Sequence, residues 1–151
     1  MLILSITDIL ISWGYWGMGI ASFLAGSFIP FSSEAILSAL YLAGFNLWWL
    51  VIYATIGNVL GGMFNYFMGR LCKEKTIYKI FRVKPDKLAK SRERVQKYGA
   101  WMGLLSWVPI LGSCITIAMG TLHIGITKSV VSISLGKIIR YIALGYLLMN
   151  L

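Results

Sequence analysis

Three uncharged stretches set the solvent for which this chain is built. Twenty-five residues without a charge separate Asp8 from Glu34, 35 separate Glu34 from Arg70, and 30 separate Lys97 from Lys128. Each can contain a membrane-traversing or membrane-dipping element, since ~20 apolar helical residues cross the ~30 Å hydrocarbon core of a bilayer. A chain of 151 residues that is 58% hydrophobic, with a mean hydropathy of +0.78, cannot hide that much apolar surface as a water-soluble domain. The start, MLILSITDILISWGYWG, lacks the basic and small-residue pattern of a cleaved leader, so the apolar segments are read as mature structure of an integral membrane protein.

The charges are concentrated. Residues 70–97 carry eleven Lys/Arg against Glu74, Asp86 and Glu93, a net of +8 out of the chain's +9. A basic block between two apolar halves is the positive-inside signature and favours placing residues 72–98 on the cytoplasmic side of the membrane. It lacks the aromatic platforms of a nucleic-acid binder, so no nucleic-acid partner is expected. Cys72 and Cys114, with the single His123, offer no metal cluster and are read as free thiols.

Two halves follow one plan, within a single domain over 1–151. The first, about 13–71, has an apolar region broken at Pro30 by FIPFSSE and then a full-length helix from about Asn46 to Leu71. The second, about 99–151, is broken at Pro109 by PILGS, including Gly112 and Ser113, and ends in a long helix from about Thr127. Proline removes an amide donor and clashes with the preceding turn, so each broken region predicts two half-helices. Paired breaks of this kind point to inverted repeats with a site at their contact. The fold class is thus all-α and integral to the membrane: two inverted halves, each a Pro/Gly-broken re-entrant helical hairpin followed by a transmembrane helix. The competing topology makes every broken region a full span. With the connector cytoplasmic, re-entrant hairpins predict external termini and four full crossings predict cytoplasmic ones, which terminus mapping distinguishes. In the connector, KPDKLAKSRERVQKYG predicts a helix with Pro85 early, Gly99 at its end and Leu88, Val95 and Tyr98 as an apolar stripe, lying on anionic headgroups or forming a solvated linker.

Polar residues at membrane depth are costly and therefore informative. Glu34 falls near the start of the returning half-helix, where it serves as a dipole partner or as a protonatable group coupled to transport. Asn58, Gly61, Gly62, Asn65 and Gly69 recur at three- and four-residue steps on one face, with Tyr66 and Arg70 at its edge. The glycines suit close helix packing, and the asparagines suit interhelical hydrogen bonds or a solute pathway. Lys137 and Arg140 fall roughly 15 and 20 Å along the last helix, too deep for snorkelling to explain both readily. They suit either an ion pair with Glu34 or binding of an anion. His123 reads as a hydrogen-bonded interfacial residue or a proton relay. No phosphate-cradling loop, triad or cofactor motif is found, and a lipid-headgroup enzyme would need more than one usable carboxylate or histidine.

FIPFSSEAILSALYLAG, GNVLGGMFNYFMGR, YGAWMGLLSWVPILGS, AMG and SLGKIIRYIALG, in this order over about residues 15–147, resemble the DedA family, also called the SNARE-associated or VTT-domain family, in its short YqaA-like branch. The resemblance implies a polytopic membrane protein with two facing re-entrant hairpins that translocates lipids or transports a solute with protons, as in handling of undecaprenyl phosphate or phospholipids. It makes Glu34 the acidic residue of the first hairpin and Lys137 and Arg140 the cations of a GKxxRY element. Between Trp107 and Thr116 the arginines of better-studied members are missing, and Ser113 stands where an acidic residue is expected. The function expected is movement of an anionic, phosphate-bearing lipid or small anion, with Glu34, Lys137, Arg140, Asn58, Asn65 and Tyr66 as binding or coupling residues. Membrane lipids with anionic headgroups are the expected partners; proton coupling and homo-oligomers are compatible with the sequence. The alternative is a non-transporting scaffold for envelope homeostasis that recruits lipids or partners through its basic connector.

Overall fold

The computed structural model describes residues 9, 12–27, 33–81, 83–108 and 111–150. Both hairpin-break prolines, Pro30 and Pro109, lie outside the described residues. The described residues are helical, without strands: α1 (Tyr15–Gly26), α2 (Ser33–Leu42), α3 (Leu47–Leu71), α4 (Glu74–Phe81), α5 (Pro85–Tyr98), a 3₁₀ segment (Gly99–Trp107), α6 (Leu111–Thr121) and α7 (Ile126–Met149). Cys72 and Cys114 are free.

Element lengths follow from the local sequence. At ~1.5 Å per residue, the 25-residue α3 and 24-residue α7 reach ~36–38 Å and are long and apolar enough to cross a membrane. The 12 residues of α1 and 10 of α2 give only ~18 and ~15 Å, well short of ~30 Å, and α1 packs directly on α2. Asn46 caps α3, its Oδ1 accepting from the backbone amides of Trp48 and Trp49 at 3.0 and 3.2 Å. Helix α2 ends on Gly44 (φ 103°) and α6 on His123 (φ 53°), 79 positions later, each donating its amide back into the last turn. His123 is thus the α6 terminator in a left-handed conformation that more often goes to glycine.

The chain condenses into two units whose boundaries fall inside the long helices rather than in the connector. The first comprises Met1–Gly61 with Ile138–Leu151, the second Gly62–Lys137. Each holds one broken helical pair, the N-terminal part of the long helix that follows it, and the C-terminal part of the other long helix. In the first unit Met18, Ala21, Ile36, Leu37, Leu40, Leu50, Val51 and Ala54 form a core completed by Tyr141. Glycine lets α3 come down onto α1: a Cβ on Gly57 would lie 2.1 Å from the Gly19 carbonyl oxygen, and one on Gly61 2.5 Å from that of Phe23. In the second unit the same device brings α3 onto α6, where a Cβ on Gly69 would meet the Ile117 carbonyl oxygen at 2.3 Å and one on Gly120 that of Tyr66 at 1.9 Å. The polar and small face of α3 is used, at its glycines, for close helix approach.

The connector keeps part of the apolar stripe expected from its sequence. It forms two helices, joined by an Arg92–Glu74 ion pair. Pro85 opens α5 and Gly99 (φ 65°) closes it, as the sequence predicts, but the buried stripe is Leu88, Ser91 and Val95, while Tyr98 is exposed. Helix α5 packs on α6 and on the 3₁₀ segment. Its buried apolar side chains are therefore taken up by the protein, and the outward face is dominated by Lys87, Lys90, Arg94 and Lys97.

Gly57→Ala should destabilise the purified protein by about 1–3 kcal/mol, because backbone and not a movable side chain stands in the way of the methyl group. Gly125→Ala, with nothing within 4 Å of its Cβ, should leave the melting temperature unchanged. Paired thermal melts in detergent check both.

Candidate functional site: a carboxylate–guanidinium pair among buried hydroxyls

Glu34 occupies the first turn of α2, where the positive end of the helix dipole favours a carboxylate. Its side chain forms an ion pair with Arg140 of α7. The guanidinium is mostly covered, with 18% of its side chain exposed, while the carboxylate keeps 36%, so the pair has one open edge. Arg140 also stands over the ring of Tyr141, its Cζ 5.5 Å from the centroid, within cation–π range.

Hydroxyl and amide groups complete this polar patch of the first unit. Tyr141 is fully buried and its Oη lies 2.7 Å from Ser33 Oγ and 3.1 Å from Ser22 Oγ. Asn58 Nδ2 donates to the Ser22 carbonyl at 3.0 Å, so this buried asparagine makes the interhelical hydrogen bond that was one of its two sequence readings. A Cβ on Gly26 would sit 2.5 Å from the Asn58 carbonyl oxygen, which shows how tightly α1 and α3 close around these groups.

The other expected site residues lie in the second unit. Lys137 is only 3% exposed, and its side chain lies along Gly62, whose added Cβ would be 3.0 Å from Lys137 Cε. Glycine thereby leaves a lane for a long cationic side chain beside Ile133. Asn65 is buried. Tyr66, expected as polar lining, has its hydroxyl engaged: it donates to the Ile124 carbonyl and accepts from Arg70 Nη1 at 2.8 Å. Arg70 and Tyr66 thus tie α3 to the turn between α6 and α7. Gly112 closes the second break, its amide donating to the Val108 carbonyl at 2.7 Å while its missing side chain admits the Ser106 carbonyl; Ser113 follows in the first turn of α6.

Sequence reasoning reached Glu34 and Arg140 through the cost of charge at depth but missed Ser22 and the Tyr141 hydroxyl. A serine in an apolar helix carries no signal of its own, and Tyr141 entered the sequence reading only as the tyrosine of the GKxxRY element. Among the described residues there is no group of three His, Cys, Asp or Glu able to hold a metal ion.

Two helices of spanning length, an acid–base pair and a buried hydroxyl cluster define a helical protein of the membrane-embedded type, with polar groups inside an apolar body. Residues 29–149 match the VTT domain, and the chain belongs to that family, also known as DedA. It is 34% identical over 124 residues, 82% of each chain, to "Inner membrane protein YqaA" of Escherichia coli (strain K12). It is 32% identical over 138 residues to a protein of Haemophilus influenzae, covering 86% of this chain and 84% of the relative. A Lactococcus lactis protein named "Alkaline phosphatase-like protein" is 29% identical over 155 residues, covering 92% of this chain and 71% of that one. No solved structure matches the chain.

Removing one member of the Glu34–Arg140 pair strands the other. The expected loss lies between the ~1 kcal/mol of an exposed pair and the ~3–5 kcal/mol of a buried one. Glu34→Gln and Arg140→Gln should each lower the unfolding midpoint, and the double variant should lose less than the two losses added together, as thermal unfolding of the three proteins will show.

Proposed function

We propose that this protein is a flippase-like transporter of the inner membrane that moves an anionic, phosphate-bearing lipid or a small anion. The observation that carries the reading is the Glu34–Arg140 pair, a partly open carboxylate–guanidinium contact whose members adjoin in sequence the hydrogen-bonded Ser33 and Tyr141. A guanidinium held by an internal carboxylate can exchange that partner for an incoming phosphate, which matches its planar donor fork at least as well. Protonation of Glu34 weakens the internal contact and frees Arg140, so a proton can drive the exchange. Lys137, buried in the second unit, is the second cation assigned to anion handling, with Asn58 and Asn65 as polar lining.

Several features support the membrane setting. The relative in Escherichia coli is named an inner membrane protein, and α3 and α7 have spanning length. The brevity of α1, α2 and α6 supports re-entrant pairs in two inverted halves, and the positive charge of residues 72–98 supports a cytoplasmic connector. Acyl tails of a lipid substrate stay in the bilayer while the headgroup crosses. No covalent step is needed.

The exposed lysines and arginine of α5 favour one further reading, a scaffold that recruits anionic lipid or a partner without transport. Vesicles reconstituted with the full chain and fluorescent phosphatidylglycerol separate the two. Transport predicts that Lys137→Ala/Arg140→Ala slows transfer at least about tenfold, equivalent to ~1.4 kcal/mol of barrier, and that Glu34→Gln changes its pH dependence. Unchanged protein-dependent transfer in both variants would sink the roles given to Glu34, Lys137 and Arg140, and wild-type vesicles that transfer no faster than protein-free ones, while still binding anionic lipid through the connector, would establish the scaffold.

A further inference from the structure

Tyr141 joins three elements with one oxygen. Its hydroxyl shares hydrogen bonds with Ser22 on α1 and Ser33 on α2, so a single side chain of α7 holds both arms of the first broken pair. A phenol has one proton to donate and lone pairs to accept with, enough for both contacts at once. Ser33 immediately precedes Glu34 and Tyr141 immediately follows Arg140. The hydroxyl link and the ion pair therefore fasten the same two stretches of backbone at adjacent residues.

Apolar packing alone does not call for that hydroxyl. The ring sits in a core of Leu, Ile, Met and Ala side chains, where a phenylalanine would supply the same apolar body. A buried hydroxyl costs free energy unless it is bonded, and here it is bonded on both sides. The repeat points the same way. Shifted by 79 positions, the spacing that relates Pro30 to Pro109 and Gly44 to His123, Tyr141 corresponds to Gly62 and Glu34 to Ser113. The half that supplies the carboxylate is the one whose arms meet the tyrosine; at the corresponding positions of the other half the sequence has neither group.

We propose that Tyr141 is the positioning residue of the Arg140 site. By clasping Ser22 and Ser33 it holds α1 and α2 on α7 and so sets the guanidinium against Glu34. Parting the pair for an incoming anion then requires the arms to shift on α7, which links occupancy of Arg140 to movement of the broken helices. The consequence for transport rests on the reading of Arg140 as the anion ligand; the clasp itself does not.

The test uses the full chain in detergent and in vesicles. Thermal unfolding is measured for Glu34→Gln, Arg140→Gln and the double variant, once in the wild-type background and once with Tyr141→Phe. The non-additivity between the two charge substitutions should be several degrees in the wild-type background and should at least halve with phenylalanine at 141. A uniformly lower midpoint with undiminished non-additivity would overturn the proposal, since it would make Tyr141 a packing residue only. Should Tyr141→Phe fail to fold, Ser22→Ala/Ser33→Ala removes both hydrogen-bond partners and is read by the same criterion. In vesicles carrying fluorescent phosphatidylglycerol, Tyr141→Phe should change the half-saturating lipid fraction by at least about threefold, whereas a change in maximal rate alone counts against positioning. Transfer left intact by Arg140→Gln would remove the reading of Arg140 as the anion ligand without altering the outcome of the unfolding cycle.

Discussion

Polar groups within an apolar body must find partners inside the protein, and that constraint organises this fold. Arg140 is mostly covered and answered by Glu34; Tyr141 is fully covered and answered by two serines; Asn58 is answered by a backbone carbonyl. Each contact draws a helix to a particular neighbour at a particular height, because an unanswered donor or charge in low dielectric costs more than a typical bonded one contributes. Dispersion and apolar burial are non-directional and would tolerate sliding of these helices. The polar contacts would not.

Glycine makes such contacts reachable. At Gly57 and Gly61 a methyl group would run into the backbone of α1, so the short side chain of Asn58 can reach the Ser22 carbonyl across a gap that ordinary helix spacing would leave open. The second unit also uses glycine in another way: Gly62 makes room for the stem of Lys137. The two halves thus share a plan of breaks, caps and close approaches while differing in charge, with a carboxylate and tyrosine at positions whose counterparts are serine and glycine.

Much of this was legible in the chain. The long helices were evident from uncharged length, the connector helix from Pro85, Gly99 and its Leu88–Val95 spacing, and the tight faces of α3 from Asn/Gly periodicity. The helix α4, the burial of the α5 stripe against α6 and the use of Tyr66 to hold the Ile124 carbonyl were not. An amphipathic stripe shows that something apolar covers it, but a bilayer and a neighbouring helix are chemically alike. A buried tyrosine likewise shows that its hydroxyl needs a partner without saying which one.

By itself the sequence determined the class of solvent, the number and length of the long helices, the broken segments and the short set of charges that must be answered. Those properties follow from local composition and from the cost of charge in hydrocarbon. Only the tertiary structure decided that Glu34 is answered by Arg140, that Lys137 lies along Gly62 in the other unit, and that one tyrosine holds both arms of the first pair. Ser33 and Tyr141 stand 108 residues apart in the chain, and the 2.7 Å between their oxygens depends on how helices pack through glycine, which no local pattern encodes.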